Sequence, residues 1–177
     1  EDYPEENGQK IAAVNYIPRE MIPELQQKYV DAAVRCAKAG TDAIEWHMAH
    51  NYLPEQFYSP YFNHRTDEYG AQNVENAMRF SVEVIDRIKA ACPGVEVIAK
   101  MNGSDFHEGT ASMQWLGDAA VILEQHGVSM ITVNGGGVIS RLTDMSADGN
   151  EEEGWKVPFA EVVKKRVSIP VAACGSL

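Results

Sequence analysis

The stretch Glu45-Trp46-His47-Met48-Ala49-His50-Asn51-Tyr52-Leu53 is the point from which this chain is best read. Its first residues finish a short apolar run, Asp42 to His47, that reads as a strand ending in polar groups. Immediately upstream, Leu25, Tyr29, Ala32, Ala33 and Cys36 recur at helical spacing within Met21 to Ala39. Pro23 suits the first turn of that helix and Gly40 its C-cap. Downstream, a loop from His50 to about Gln72 is dense in Pro, Asn, Asp and aromatic residues. Loops of that length inside a domain are usually functional or disordered, and the aromatics argue against disorder.

Further outward the alternation repeats. Val74 to Ala91 is an amphipathic helix, followed by a strand at Val95 to Met101. A helix at Ser112 to His126 precedes a strand at Val128 to Val133. A short helix at Val157 to Arg166 precedes a strand at Ile169 to Cys174. Residues 1–20 are an irregular lead-in, and 138–156 is a polar, acidic excursion. The order α-β-α-β-α-β-α-β with apolar strands predicts a parallel sheet covered by helices. A doubly wound sheet and a (β/α)8 barrel both fit, and periodicity does not choose between them.

Composition narrows the function classes. The net charge of −11 excludes a nucleic-acid or anionic-membrane surface, which needs clustered Lys and Arg. No apolar run approaches the ~20 residues of a membrane helix. The acidic start is neither a signal nor a transit peptide. Cys36, Cys92 and Cys174 are widely spaced, so they read as reduced thiols of a cytoplasmic protein. The start lacks a Met, which is expected of a processed or incomplete chain.

In either architecture the site lies at the C-terminal strand ends. Those ends carry Glu45, His47 and His50, then Lys100, Asn102 and Asp105, then Asn134 with Gly135 to Gly137, then Gly175 and Ser176. His47, His50 and Tyr52 can all donate to one small oxygen-bearing group. Histidines taken singly more often cap or pack, and a metal site using Glu45, His47 and His50 is a rival reading. Lys100 is either a snorkelling surface lysine or a charge facing the site. Gly175 and Ser176 offer backbone amides to a phosphate. No G-x-G-x-x-G follows a strand, so the dinucleotide-binding fingerprint is absent.

The combined run Glu45 to Leu53, Gln56-Phe57, Ser59-Pro60, Asn63, Arg65-Thr66-Asp67-Glu68-Tyr69-Gly70, Glu75-Asn76 and Arg79-Phe80 resembles the Old Yellow Enzyme family. The bacterial branch with 2,4-dienoyl-CoA reductases, enoate reductases and bile-acid-inducible reductases is the most similar. The resemblance spans about residues 19 to 177. It implies a (β/α)8 TIM barrel, of which 1–177 would form a partial FMN-binding domain covering the fourth to seventh β/α units. It implies an FMN-dependent ene-reductase that takes electrons from NAD(P)H and reduces the C=C bond of a small enone or enoyl substrate.

By that resemblance His47 and His50 hold the substrate oxygen and Tyr52 donates the proton. Lys100 stands where many members have an arginine beside the flavin, while Gly175 and Ser176 match the phosphate turn. Asn51 replaces a usual glycine, and Ala71-Gln72-Asn73-Val74 is about one residue longer than the common pattern. Open barrel edges imply either self-association, as in a homo-oligomer, or poor solubility. A catalytically silent half-barrel is the rival from another class.

Overall fold

The computed structural model describes residues 5–6, 9–10, 12–137 and 153–175. A two-residue antiparallel ladder, β1 (Glu5–Glu6) with β2 (Gln9–Lys10), precedes two 3-10 turns at Ala13–Tyr16 and Arg19–Met21. The main body is α1 (Ile22–Lys38), β3 (Ala43–Met48), α2 (Leu53–Tyr58), α3 (Val74–Ala91), β4 (Glu96–Asn102), α4 (Met113–Gln125), β5 (Met130–Asn134), α5 (Val157–Lys164) and β6 (Val171–Ala173). The expected helices and strands stand at these places within a few residues. Among the described residues, no helix is long and apolar enough to cross a membrane.

The four long-range strands pair in parallel in the order β3-β4-β5-β6. Each strand lies beside its neighbour in sequence, so the order never reverses. A doubly wound sheet needs such a reversal, with helices on both faces. Here α1 packs on α3, α3 on α4 and α4 on α5, in chain order along one face. Sequential strands with helices on one side make an arc of a (β/α)8 barrel. This choice was open on periodicity alone.

Alternation along each strand separates two faces. Trp46 and Met48, Val97, Ala99 and Met101, and Ile131 and Val133 are buried together with helix side chains in the core. Phe80, Val84, Ile85 and Ile88 supply α3's share, and Leu116, Ala119, Ala120 and Leu123 that of α4. Burying each large apolar side chain stabilises the fold by roughly 1.5–3 kcal/mol. The helices start where their caps are. Asn73 Oδ1 accepts from Asn76 N–H at 2.8 Å, and Ser112 Oγ accepts from Trp115 N–H at 3.2 Å.

The long loop is not wholly irregular. It contains α2, which sequence periodicity did not reveal because six residues are too few to show a 3.6-residue repeat. Phe57 and Tyr58 of α2 are buried, and the Phe57 ring stacks on Phe80 at 4.2 Å and 4°. The rest of the loop is tied by two polar hubs. Asn63 Nδ2 donates to the carbonyls of Phe57 (2.6 Å) and Tyr69 (2.7 Å). Arg65 donates to the carbonyls of Val14 (3.0 Å) and Ile17 (2.6 Å) and pairs with Asp67. Gly70 is required there, since a Cβ would fall 2.1 Å from the Arg65 carbonyl oxygen.

Candidate active site

The strand register sets one row of inward residues at a common height. His47 is paired with Lys100, Lys100 with Thr132, and Thr132 with Ala172. All four are half-buried on the face away from the helices. Thr132 and Ala172 are the small members of this row, and His47 and Lys100 the large ones. One step further along, Asn102 is paired with Asn134 at the strand ends.

Beyond β3 the chain turns through two successive left-handed residues, His50 (φ +58°) and Asn51 (φ +63°). Asn is among the few non-glycine residues that adopt this conformation readily, which explains how it stands where a glycine was expected. The turn brings three rings together. His47 and His50 lie 5.5 Å apart between ring centres, and His47 and Tyr52 5.4 Å. Tyr52 is 61% exposed. Burial, then the neighbouring His50 and Lys100, lowers the His47 pKa. His47 is therefore a neutral ring with one N–H to give.

His50 is fixed by its surroundings. Its Nδ1 lies 2.7 Å from the Gly136 carbonyl oxygen and its Nε2 lies 3.3 Å from Asn134 Nδ2. The backbones of His50 and Gly137 form a bridge, and a Cβ on Gly137 would fall 1.9 Å from Asn51 Oδ1. The glycine run is thus a close-approach site for the histidine loop. Gly175 has φ +93° and is exposed after β6, and its absent Cβ would lie 3.2 Å from Lys156 Nζ. Ser176 lies outside the described residues. So does most of the acidic excursion; its last residue, Lys156, is 1% exposed and donates to Asn134 Oδ1 at 3.2 Å. The excursion was expected to be polar and acidic, and its last residue is a buried cation at the end of β5.

Beneath the histidine turn is a buried acid pair that the sequence reading missed as a unit. Asn102 Nδ2 contacts Glu55 Oε1 (3.0 Å), Asp105 Oδ1 (2.7 Å) and the Gly136 carbonyl (2.9 Å). Asn51 donates to both Glu55 and Asp105. Asn102 and Asp105 were legible as strand-end groups, but Glu55 lies in α2, the helix that left no periodic signal. Burial first, then the Asp105 charge and a hydrogen bond to it, raises the Glu55 pKa well above its ordinary 4.5. Burial beside Asp105 therefore favours the protonated form of Glu55. Among the described residues, no group of three His, Cys, Asp or Glu converges on a metal position, and the Glu45, His47 and His50 reading gains no support.

This pair has a pH signature. Glu55 holds its proton to higher pH folded than unfolded, so its contribution is fully present below about pH 4.5. It is lost as pH rises toward the elevated folded value. Within that window one uncompensated ionisation costs about 1.4 kcal/mol per pH unit. Glu55→Gln cannot ionise, so urea denaturation from pH 5 to 8 will show a flatter stability profile than the native chain. An unchanged slope would show that Glu55 is already ionised in the folded state.

A family model described as NADH:flavin oxidoreductase / NADH oxidase family matches residues 2–177. The chain is 39% identical over 163 residues to an NADH oxidase of Thermoanaerobacter brockii, covering 89% of this chain and 25% of that protein. Among solved structures, histamine dehydrogenase from Rhizobium sp. 4-9 superposes with a TM-score of 0.80 at 26% identity, covering 90% of this chain and 23% of that one. Morphinone reductase superposes with a TM-score of 0.70 at 26% identity, covering 91% and 41%. The chain spans between a quarter and under a half of the length of the curated relatives it matches.

Proposed function

Because the chain belongs to the NADH:flavin oxidoreductase / NADH oxidase family, we propose that it forms the substrate-facing part of an FMN-dependent oxidoreductase. The enzyme takes electrons from NADH or NADPH and reduces the activated C=C bond of an α,β-unsaturated carbonyl or enoyl compound. The observation that carries this reading is the grouping of His47, His50 and Tyr52 around one end of the sheet, directly above the row of His47, Lys100 and Thr132.

The residues present fit the cofactor. Thr132 and Ala172 leave room for a planar ring over the inward row, and Lys100 in that row places a positive charge beside it. The exposed left-handed turn at Gly175 presents backbone to a phosphate. When bound, FMN supplies the two-electron chemistry that no side chain offers. A lysine rather than an arginine at position 100 keeps the charge but gives up the planar two-pronged contact.

The chain's own groups do the rest. His47 directs its ring N–H at the substrate carbonyl oxygen, where negative charge grows as the C=C bond is reduced. Tyr52 holds its phenolic proton at the open side of the site, ready for the carbon next to that carbonyl. Lys100 favours negative charge at the height of His47. The experiment is anaerobic titration of the whole flavin-loaded protein. NADH or NADPH should bleach the visible flavin absorbance, and an enone should restore it. Bleaching by an amine, with no recovery on adding any enone, would overturn the reading in favour of amine oxidation.

A further inference from the structure

Asn134, the last residue of β5, has its carbonyl oxygen committed. Oδ1 accepts from Gly135 N–H at 2.9 Å and from the Lys156 ammonium at 3.2 Å. Both are obligate donors, so the amide cannot be turned over without setting an NH2 against them. Its NH2 therefore points the other way, where His50 Nε2 lies 3.3 Å off. An amide NH2 only donates, so Nε2 presents its lone pair. The ring proton is then on Nδ1, which lies 2.7 Å from the Gly136 carbonyl oxygen, an acceptor only. Both sides of the ring demand the same tautomer.

We propose that Asn134, anchored by the buried Lys156, is a positioning residue that locks His50 as the Nδ1–H tautomer and holds its Nε2 as an acceptor. Neutral His50 can donate toward the site only by turning away from both Asn134 and the Gly136 carbonyl. Among the described residues, the ionisable and charged groups around His50 are His47 beside it, Lys100 in register with His47, Lys156 behind Asn134, and the Glu55–Asp105 pair behind Asn102. Asn102 shares the Gly136 carbonyl with His50, so that pair reaches the ring only through a neutral amide and a carbonyl.

The assignment of roles rests on reading His50 as a substrate-facing ring, but the tautomer lock is testable without any activity. The experiment is long-range 1H–15N NMR of the full chain, labelled with 15N-histidine, near neutral pH. A His50→Gln sample identifies the His50 signals among the five histidines. The native chain should show His50 protonated at Nδ1 and bare at Nε2. Asn134→Leu should shift it to Nε2–H or to an average of the two forms, and Lys156→Met should do the same more weakly. Asn134→Asp, which can only accept, should place a proton on Nε2. The other four histidines should keep their patterns in every variant. A native His50 protonated at Nε2 would overturn the proposal even if the variants failed to fold. So would an Nδ1–H pattern unmoved by both Asn134→Leu and Asn134→Asp. Neither result would bear on whether the flavin reading of the site is right.

Discussion

Tyr52→Phe will slow reduction of the alkene by about 10²–10⁴-fold, the usual effect of removing a positioned general acid, and will leave reduction by the nicotinamide nearly untouched. The reason is local. Tyr52 sits at the entry of α2, where its N–H donates to the Ala49 carbonyl (3.3 Å) and its own carbonyl accepts from Gln56 N–H (2.9 Å). Phe keeps those backbone contacts and the ring packing beside His47 at 5.4 Å. Only the phenolic proton is lost. Rapid mixing of the whole flavin-loaded protein, first with NADH or NADPH and then with an enone, separates the two steps. Equal slowing of both would show that Tyr52 shapes the site and does not supply the proton.

The second large effect is on stability. Phe80 is fully buried in α3. It stacks on Phe57 at 4.2 Å and meets Tyr29 (6.0 Å) and Trp46 (6.3 Å), and so joins α1, α2, α3 and β3. Phe80→Ala removes the shared member of these aromatic pairs and leaves a cavity between elements that cannot all close on it. The expected loss is about 3–5 kcal/mol, which for a chain of this size lowers the melting temperature by roughly 10 °C. Thermal unfolding followed by circular dichroism measures it. Phe80→Leu should lose much less, because it refills most of the volume. A Phe80→Ala variant that melts within a degree or two of native would place the weight of the core elsewhere.

The two buried features just described differ in how legible they were. Phe80 was visible as a member of α3's apolar face, because eighteen residues show a helical period clearly. Its partner Phe57 was visible as an aromatic in a loop and as a member of the family pattern, but not as a helix residue. The family pattern also named Asn63, Arg65, Asp67 and Gly70, and the structure explains their chemistry as scaffolding. They tie the loop to itself and to the lead-in at Val14 and Ile17. His47, His50 and Tyr52 were legible as a candidate cluster because they fall within six residues of one another at a strand end. Glu55 and Asp105 are fifty residues apart, and their meeting depends on how α2 folds back over the end of β4. Lys156 lay at the edge of an acidic, polar stretch, where nothing in the residue pattern signals burial. Thr132 shares the height of His47 and Lys100 only through strand register, which a single sequence does not encode visibly.

The alternation of the strands has a consequence for how such a protein can change over time. In β3, Trp46 and Met48 touch the helices, while Glu45 and His47 lie on the other face; β4 and β5 repeat the division. Adjacent letters of the gene thus answer to different selection. Drift at one parity is screened by whether the chain stays folded, and at the other by what the enzyme turns over. Positions of opposite parity that lie more than about 7–10 Å apart and share no partners should combine almost independently. New substrate preferences can then accumulate on the inward row without eroding the helix-facing layer that keeps the chain folded.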